Sequence, residues 1–200
     1  MSRAEEAGRV TAALLHHEMG PHTVDDWLTA EPPQDGTRLE LIWGYFHVSP
    51  APAGQHQYAA DELRAVLKAA LSRRTDLYVV TAVAVGISTR ARTGLVPDVV
   101  VLNTRPVGTS FRAGDVELAV EVWSPGNTAE ERANKVAAYA LAGVSFFWAV
   151  ELNKVGGVTV TAHRLEKDGY VAETTAVSGA EVTLRTAPEP VTFDPADLSP

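Results

Sequence analysis

The sequence predicts a mixed α/β domain on a single core, and three patterns carry that prediction. One helix shows an unbroken apolar stripe, with His56, Ala59, Ala60, Leu63, Val66, Leu67, Ala70 and Leu71 at three- and four-residue spacing. Three runs, 77–87, 95–102 and 116–123, are almost wholly apolar, as strands covered on both faces are. A second helical pattern, 128–142, stands between the last of these and another apolar run, 144–152. Helices interleaved with buried strands describe a layered mixed sheet with flanking helices.

In chain order, residues 3–19 read as a short amphipathic helix, with Val10, Ala13, Leu14 and His17 at helical spacing and Gly20-Pro21 ending it. Thr23 is placed to cap a second short helix whose first turn holds Asp25 and Asp26. Residues 38–48 read as a hairpin turning at Gly44. The long stripe follows, then the strand runs. Gly143 is the expected C-cap of the helix over 128–142. Residues 158–165 and 170–177 form a hairpin about Lys167-Asp168-Gly169. The expected organisation is one domain over 1–200, with a helical lead-in over 1–36 and an irregular tail over 186–200.

The chain has 200 residues, enough for one sizeable core. Its net charge of −8 lacks the overall pull of a tight, non-specific nucleic-acid binder. Any such contact needs a local basic patch, for which Arg73 with Arg74, or Arg90, Arg92, Arg105 and Arg112, are the candidates. The absence of cysteine excludes disulfides, thiolate metal sites and a cysteine nucleophile. It fits a reducing cytoplasm. No signal peptide and no membrane span is expected.

Besides Glu117, next to the start of its run, two residues break the apolar runs. Asp98 lies between Pro97 and Val99-Val100-Val101-Leu102, and Glu121 lies within Leu118-Ala119-Val120-Glu121-Val122-Trp123. Taken singly, Asp98 reads as a polar strand start and Glu121 as half of a buried ion pair. Two acids in two buried strands point instead to a shared site, because buried carboxylates need a partner or a cation. Hard oxygen donors suit magnesium or manganese. Lys135 lies on the helix after the Glu121 strand, although Glu131, one turn earlier, offers it a surface partner. Glu131 also suits a capping box with Thr128. Glu40 reads as a solvent-facing strand residue and His56 as a first-turn polar residue. There is no phosphate-binding glycine loop and no serine nucleophile elbow.

In order along the chain, Thr23-Val24-Asp25-Asp26-Trp27-Leu28, Arg38-Leu39-Glu40-Leu41-Ile42-Trp43-Gly44, His56, Pro97-Asp98-Val99, Glu121-Val122-Trp123-Ser124-Pro125, Lys135, Tyr139, Ala142-Gly143-Val144 and Phe147-Trp148 resemble the small bacterial Uma-type family of putative restriction endonucleases. That family is a branch of the PD-(D/E)XK nucleases. The resemblance implies a restriction-endonuclease-like core with flanking helices and β-hairpin additions. It further implies a Mg2+- or Mn2+-dependent endonuclease hydrolysing phosphodiester bonds in DNA. Asp98 and Glu121 then match the metal-binding acids and Lys135 the motif's basic residue, with Glu40, His56 and Ser124 at further family positions. Trp123 stands where the superfamily usually has its lysine.

A competing reading is a catalytically inactive nuclease-fold binding or interaction module, favoured by the acidic charge and the displaced lysine. A third is an acidic homodimer acting as a partner protein, with the aromatics near Trp43, Tyr45 and Phe46 at its interface. Many nucleases of this superfamily act as dimers.

Overall fold

The computed structural model of the protein describes residues 19–31, 33–153 and 156–200. The helix expected over 3–19 falls outside these residues but for its last position. The described chain opens with α1 (Val24–Thr29). Thr23 caps it reciprocally: its hydroxyl accepts from the Asp26 N–H at 3.1 Å, and the Asp26 carboxylate accepts from the Thr23 N–H at 2.8 Å. The hairpin β1 (Arg38–Ile42) and β2 (Tyr45–Ser49) follows, then the long helix α2 (Gly54–Ala70). Trp43 and Gly44 form the turn with φ of 53° and 82°, the left-handed pair of a two-residue type I′ connection.

The next two apolar runs each divide between two sheets. The first gives β3 (Tyr78–Thr81) and β4 (Ala84–Ser88), the second β5 (Thr93–Leu95) and β6 (Val99–Leu102). Each break has a local cause. Ala82 turns with φ 51°, and Pro97 supplies no N–H to a ladder. The breaks meet, because the Ala82 N–H donates to the Asp98 carbonyl at 3.3 Å. Asp98 therefore stands at the corner where the chain passes from one sheet to the other, one residue before β6, rather than within a strand.

The chain continues with β7 (Ser110–Arg112), β8 (Val116–Trp123), α3 (Ala129–Leu141), β9 (Phe146–Leu152), β10 (Val158–Glu166) and β11 (Gly169–Val177). Gly143 ends α3 with φ 78°, as its C-cap position requires. The five-stranded sheet runs β2-β1-β5-β4-β7 and the six-stranded sheet β11-β10-β9-β8-β6-β3. Strands β8 and β9 are parallel, with α3 as the crossover. The tail is more regular than its prolines suggest. Strand β12 (Val182–Leu184) leads into it, and it holds β13 (Val191–Phe193) and a 3-10 turn over Pro195–Leu198. Leu184, Val191, Phe193 and Leu198 join the core against α2, so apolar anchoring overrides the helix- and strand-breaking prolines between them.

Helix α2 buries Leu63 and Leu67 against Val99, Val101, Leu118, Val120 and Trp148 of the six-stranded sheet. Each of these leucines stabilises the packing by about 1.5–3 kcal/mol. Helix α3 covers the opposite face, setting Ala138 and Tyr139 against Val100, Ala119 and Phe147. Residues of β8 alternate between these two layers, and Glu121 is the buried carboxylate among them, Glu117 being only half-buried.

Candidate active site

The corner at Asp98, the end of β8, the first turn of α2, strand β1 and the first half of α3 surround one cavity of about 330 Å³. Arg38, Glu40, His56, Asp98, Glu121 and Lys135 all line it. The acids Glu40, Asp98 and Glu121 are each only 2 % exposed, so each needs a charged or hydrogen-bonding partner.

Asp98 is held from three sides. Its Oδ1 accepts from the Arg38 guanidinium and from His56 Nε2, the latter at 2.8 Å. Its Oδ2 accepts from the Val122 N–H at 2.8 Å. Burial alone would raise this carboxyl, but the bond from His56 and the charges of His56 and Arg38 outweigh it and hold the group below the ordinary aspartate range. An ionised carboxylate only accepts, so Nε2 of His56 carries the proton between them. His56 Nδ1 then faces the Ser124 hydroxyl at 3.2 Å.

Glu121 sits in a different setting. Its Oε1 accepts from the Tyr139 hydroxyl at 2.7 Å, and its Oε2 lies 3.2 Å from Lys135 Nζ. Lys135 also reaches Glu40, at 3.0 Å from Oε1 and 2.8 Å from Oε2. Glu40 Oε1 in turn accepts from the Val96 N–H at 2.8 Å. Burial lowers Lys135, but the carboxylates of Glu121 and Glu40 outweigh it and keep the ammonium charged beyond the ordinary lysine range. Burial pushes the Glu121 carboxyl up to about 8; Lys135 opposes this, while Asp98 and Glu40 add to it. Lys135 therefore stays charged, and the surplus of negative charge falls on Glu121.

The readings of Glu40 and Lys135 taken singly give way here. Glu40 faces this cavity rather than solvent, and Lys135 pairs with Glu40 and Glu121 rather than with Glu131. Glu131 instead accepts from the Asn127 side chain at 2.9 Å, while Thr128 caps α3 by accepting from the Glu131 N–H. None of the arginines singled out as a basic patch lines the cavity. Arg74 is taken up by Asp76 and Glu189, and Arg92 donates to the Gly20 carbonyl.

Sequence reasoning gave Arg38 and Tyr139 no role in the site, and both were reachable by periodicity. Arg38 precedes Glu40 by two residues on β1, which puts both on one face of the strand. Tyr139 follows Lys135 by one turn of α3.

Among the described residues, no group of three or more His, Cys, Asp and Glu is already arranged around a metal position. The donor set nevertheless suits a hard divalent cation. Three buried carboxylates face two fixed cations, Arg38 and Lys135, and the charges of Asp98 and Glu40 add to the burial that raises Glu121. Asp98 and Glu121 could hold such an ion, with Glu40 beside them.

A family model described as "Putative restriction endonuclease" matches residues 24–195. A crystal structure titled as a putative nuclease belonging to DUF820 from Anabaena variabilis has the same fold, with a TM-score of 0.66 at 18 % identity. That match covers 89 % of this chain and 97 % of the other. No curated protein matches the sequence. The mixed α+β architecture is thus that of the restriction-endonuclease-like nucleases. No helix among the described residues is long and apolar enough to cross a membrane.

Proposed function

Because the chain belongs to the Uma2 family of putative restriction endonucleases, we propose that it is a metal-dependent endonuclease that hydrolyses phosphodiester bonds in DNA. The observation that carries this reading is the convergence of Glu40, Asp98, Glu121 and Lys135 on one cavity, with Arg38 beside them. Oxygen donors alone favour Mg2+ or Mn2+. Such an ion, held by Asp98 and Glu121, would supply a Lewis acid for the phosphoryl group.

The chain's own residues divide the remaining work. Arg38 spends one guanidinium nitrogen on Asp98, and its other donors and partial exposure suit it to hold a substrate phosphate. Lys135 keeps a fixed positive charge at the developing negative charge of the reacting group. His56, anchored through Nε2 by Asp98, exchanges a proton through Nδ1 and the Ser124 hydroxyl. Work on DNA in a reducing cytoplasm belongs with this reading.

The test is cleavage of plasmid DNA with Mg2+ or Mn2+. Asp98→Ala is expected to lower the rate by roughly 100-fold or more. Unchanged cleavage by that variant would sink the mechanism. A second reading, a binding module without turnover, draws on Trp123 at the usual lysine position and on Lys135 being fully engaged by two acids. Calorimetric titration separates the two: heat from Mn2+ that vanishes in Glu121→Gln supports the enzyme, and no heat at millimolar metal supports the module.

A further inference from the structure

Strand β2 is an edge of the five-stranded sheet, and its own residues carry no charge, proline or bulge to protect it, although His22 stacks on Phe46 at 4.2 Å. Tyr45, Phe46 and Val48 are exposed, Val48 by 62 %. Residues 41–60 contain no Asp, Glu, Lys or Arg, and the β1–β2 register has no bulge. Natural edges are usually guarded by charge, proline or a bulge. The other long edge, β11, carries the ion-paired Glu173 and borders a bulge in its partner strand.

The backbone indicates which groups are free. Leu41 pairs with Gly94 of β5 on one side and stands opposite Phe46 of β2 on the other. In an antiparallel ladder, residues whose groups point away from one neighbour alternate with those that bond to it. Leu41 turns toward β5, so Phe46 turns its own N–H and C=O to the open edge, and Val48, two residues on, does the same. The two-residue turn at Trp43-Gly44 sets this alternation independently, because Ile42 and Tyr45 must be the bonded pair beside it.

We infer that β2 is the interface of a two-fold homodimer, pairing antiparallel with β2 of a second copy about His47. That register sets Phe46 opposite Val48 of the second copy, and Val48 opposite Phe46. All four residues then use their outward backbone groups. Their side chains form one cluster on one face, together with the His22 ring stacked on each Phe46, while Tyr45 meets Ser49 and His47 meets His47 on the other. The occupant is a second copy rather than nucleic acid, because an uncharged strip attracts no phosphates. It is also where two chains of net charge −8 meet with least repulsion. Trp43 takes no part, since it is buried in the core.

A two-fold axis through His47 stands perpendicular to the joined sheet, so both copies present the same face on the same side. Val48, Ser49 and Pro50 line the cavity of the candidate site. Two such cavities therefore open on one side of a continuous sheet, next to the axis, where a duplex can meet both. The interface stands without the cleavage reading; the use of two cavities on one duplex rests on it.

The test reads mass and is independent of cleavage. Sedimentation velocity on the full chain, from about 2 to about 200 µM, should show a monomer–dimer equilibrium of the micromolar strength that a modest interface gives. His47→Lys and His47→Glu each place like charges face to face at the axis. Each is expected to be monomeric, with the melting temperature of the dilute, monomeric wild-type chain because His47 is exposed. An equimolar mixture of the two should restore the dimer. Val171→Lys on the β11 edge should leave it intact. Amide exchange at Phe46 and Val48 should slow as concentration rises. A monomer at every concentration overturns the proposal. So does a dimer that survives both His47 variants, or protection of Phe46 and Val48 already present in the monomer, which would mean the chain covers its own edge.

Discussion

Asp98 and Glu121 look alike in sequence, each an acid set among valines, yet the fold gives them opposite surroundings. Asp98 sits at a sheet corner and gathers a guanidinium, an imidazole and a backbone N–H. Its charge is locked in place. Glu121 sits inside β8 under α3, and shares one lysine with a second carboxylate. Its charge is only partly balanced, and its carboxyl moves upward. Two acids held in contrasting environments can serve contrasting roles: one fixes geometry, the other answers to protons and cations.

The strongest way to break that contrast is to remove each half's cation. Lys135→Met leaves Glu40 and Glu121 buried together without compensation, and should destabilise the fold by about 3–5 kcal/mol in urea unfolding. Arg38→Met should cost about 1 kcal/mol, because Arg38 is partly exposed and Asp98 keeps its bonds from His56 and Val122. Equal losses would mean that the two halves are equivalent.

Next in size is the response to pH. A carboxyl raised in the folded state binds more protons there than in the unfolded chain, so stability falls as pH climbs from the ordinary glutamate value to that of Glu121, near 8. The lowered Asp98 works the other way, contributing stability above the ordinary aspartate value that is lost as pH falls below it. The melting temperature should therefore decline between about pH 5 and 8.5, by an amount on the order of a few degrees. Glu121→Gln should flatten that decline. A decline that persists unchanged in Glu121→Gln would assign it to another group.

Smaller still, Tyr139→Phe leaves Glu121 Oε1 without its hydroxyl donor and should cost about 1–2 kcal/mol. In the same variant, the pH at which stability falls should move upward, since that bond favours the ionised form. Ser124→Ala should change stability by less than about 1 kcal/mol while slowing cleavage, separating a proton path from a packing role.

Much of the architecture was legible because it follows from local periodicity. The α2 stripe, the turn at Gly44, the cap at Thr23 and the C-cap at Gly143 depend on neighbours within a few residues. The division of the apolar runs between two sheets was not legible. Nothing in 77–87 or 95–102 says that Ala82 and Asp98 will meet across a corner, although Pro97 hinted at an interruption. The tail misled because its prolines were weighed without the core that Leu184, Val191 and Phe193 find on α2. Within the site, the solvent-facing reading of Glu40 taken alone failed for a similar reason. Alternation along β1 gives two faces, and only the packed structure says which face meets α3.

The sequence by itself determined which residues are out of place. An acid in an apolar run is anomalous whatever surrounds it, since burying charge is costly, and Asp98 and Glu121 were visible on those grounds alone. Tertiary structure decided who answers each anomaly. Arg38 and His56 reach Asp98 across separations of 60 and 42 residues, and Glu40 reaches Lys135 across 95. No local rule spans such distances, because those pairs exist only once the sheet corner and two helices close around the same cavity.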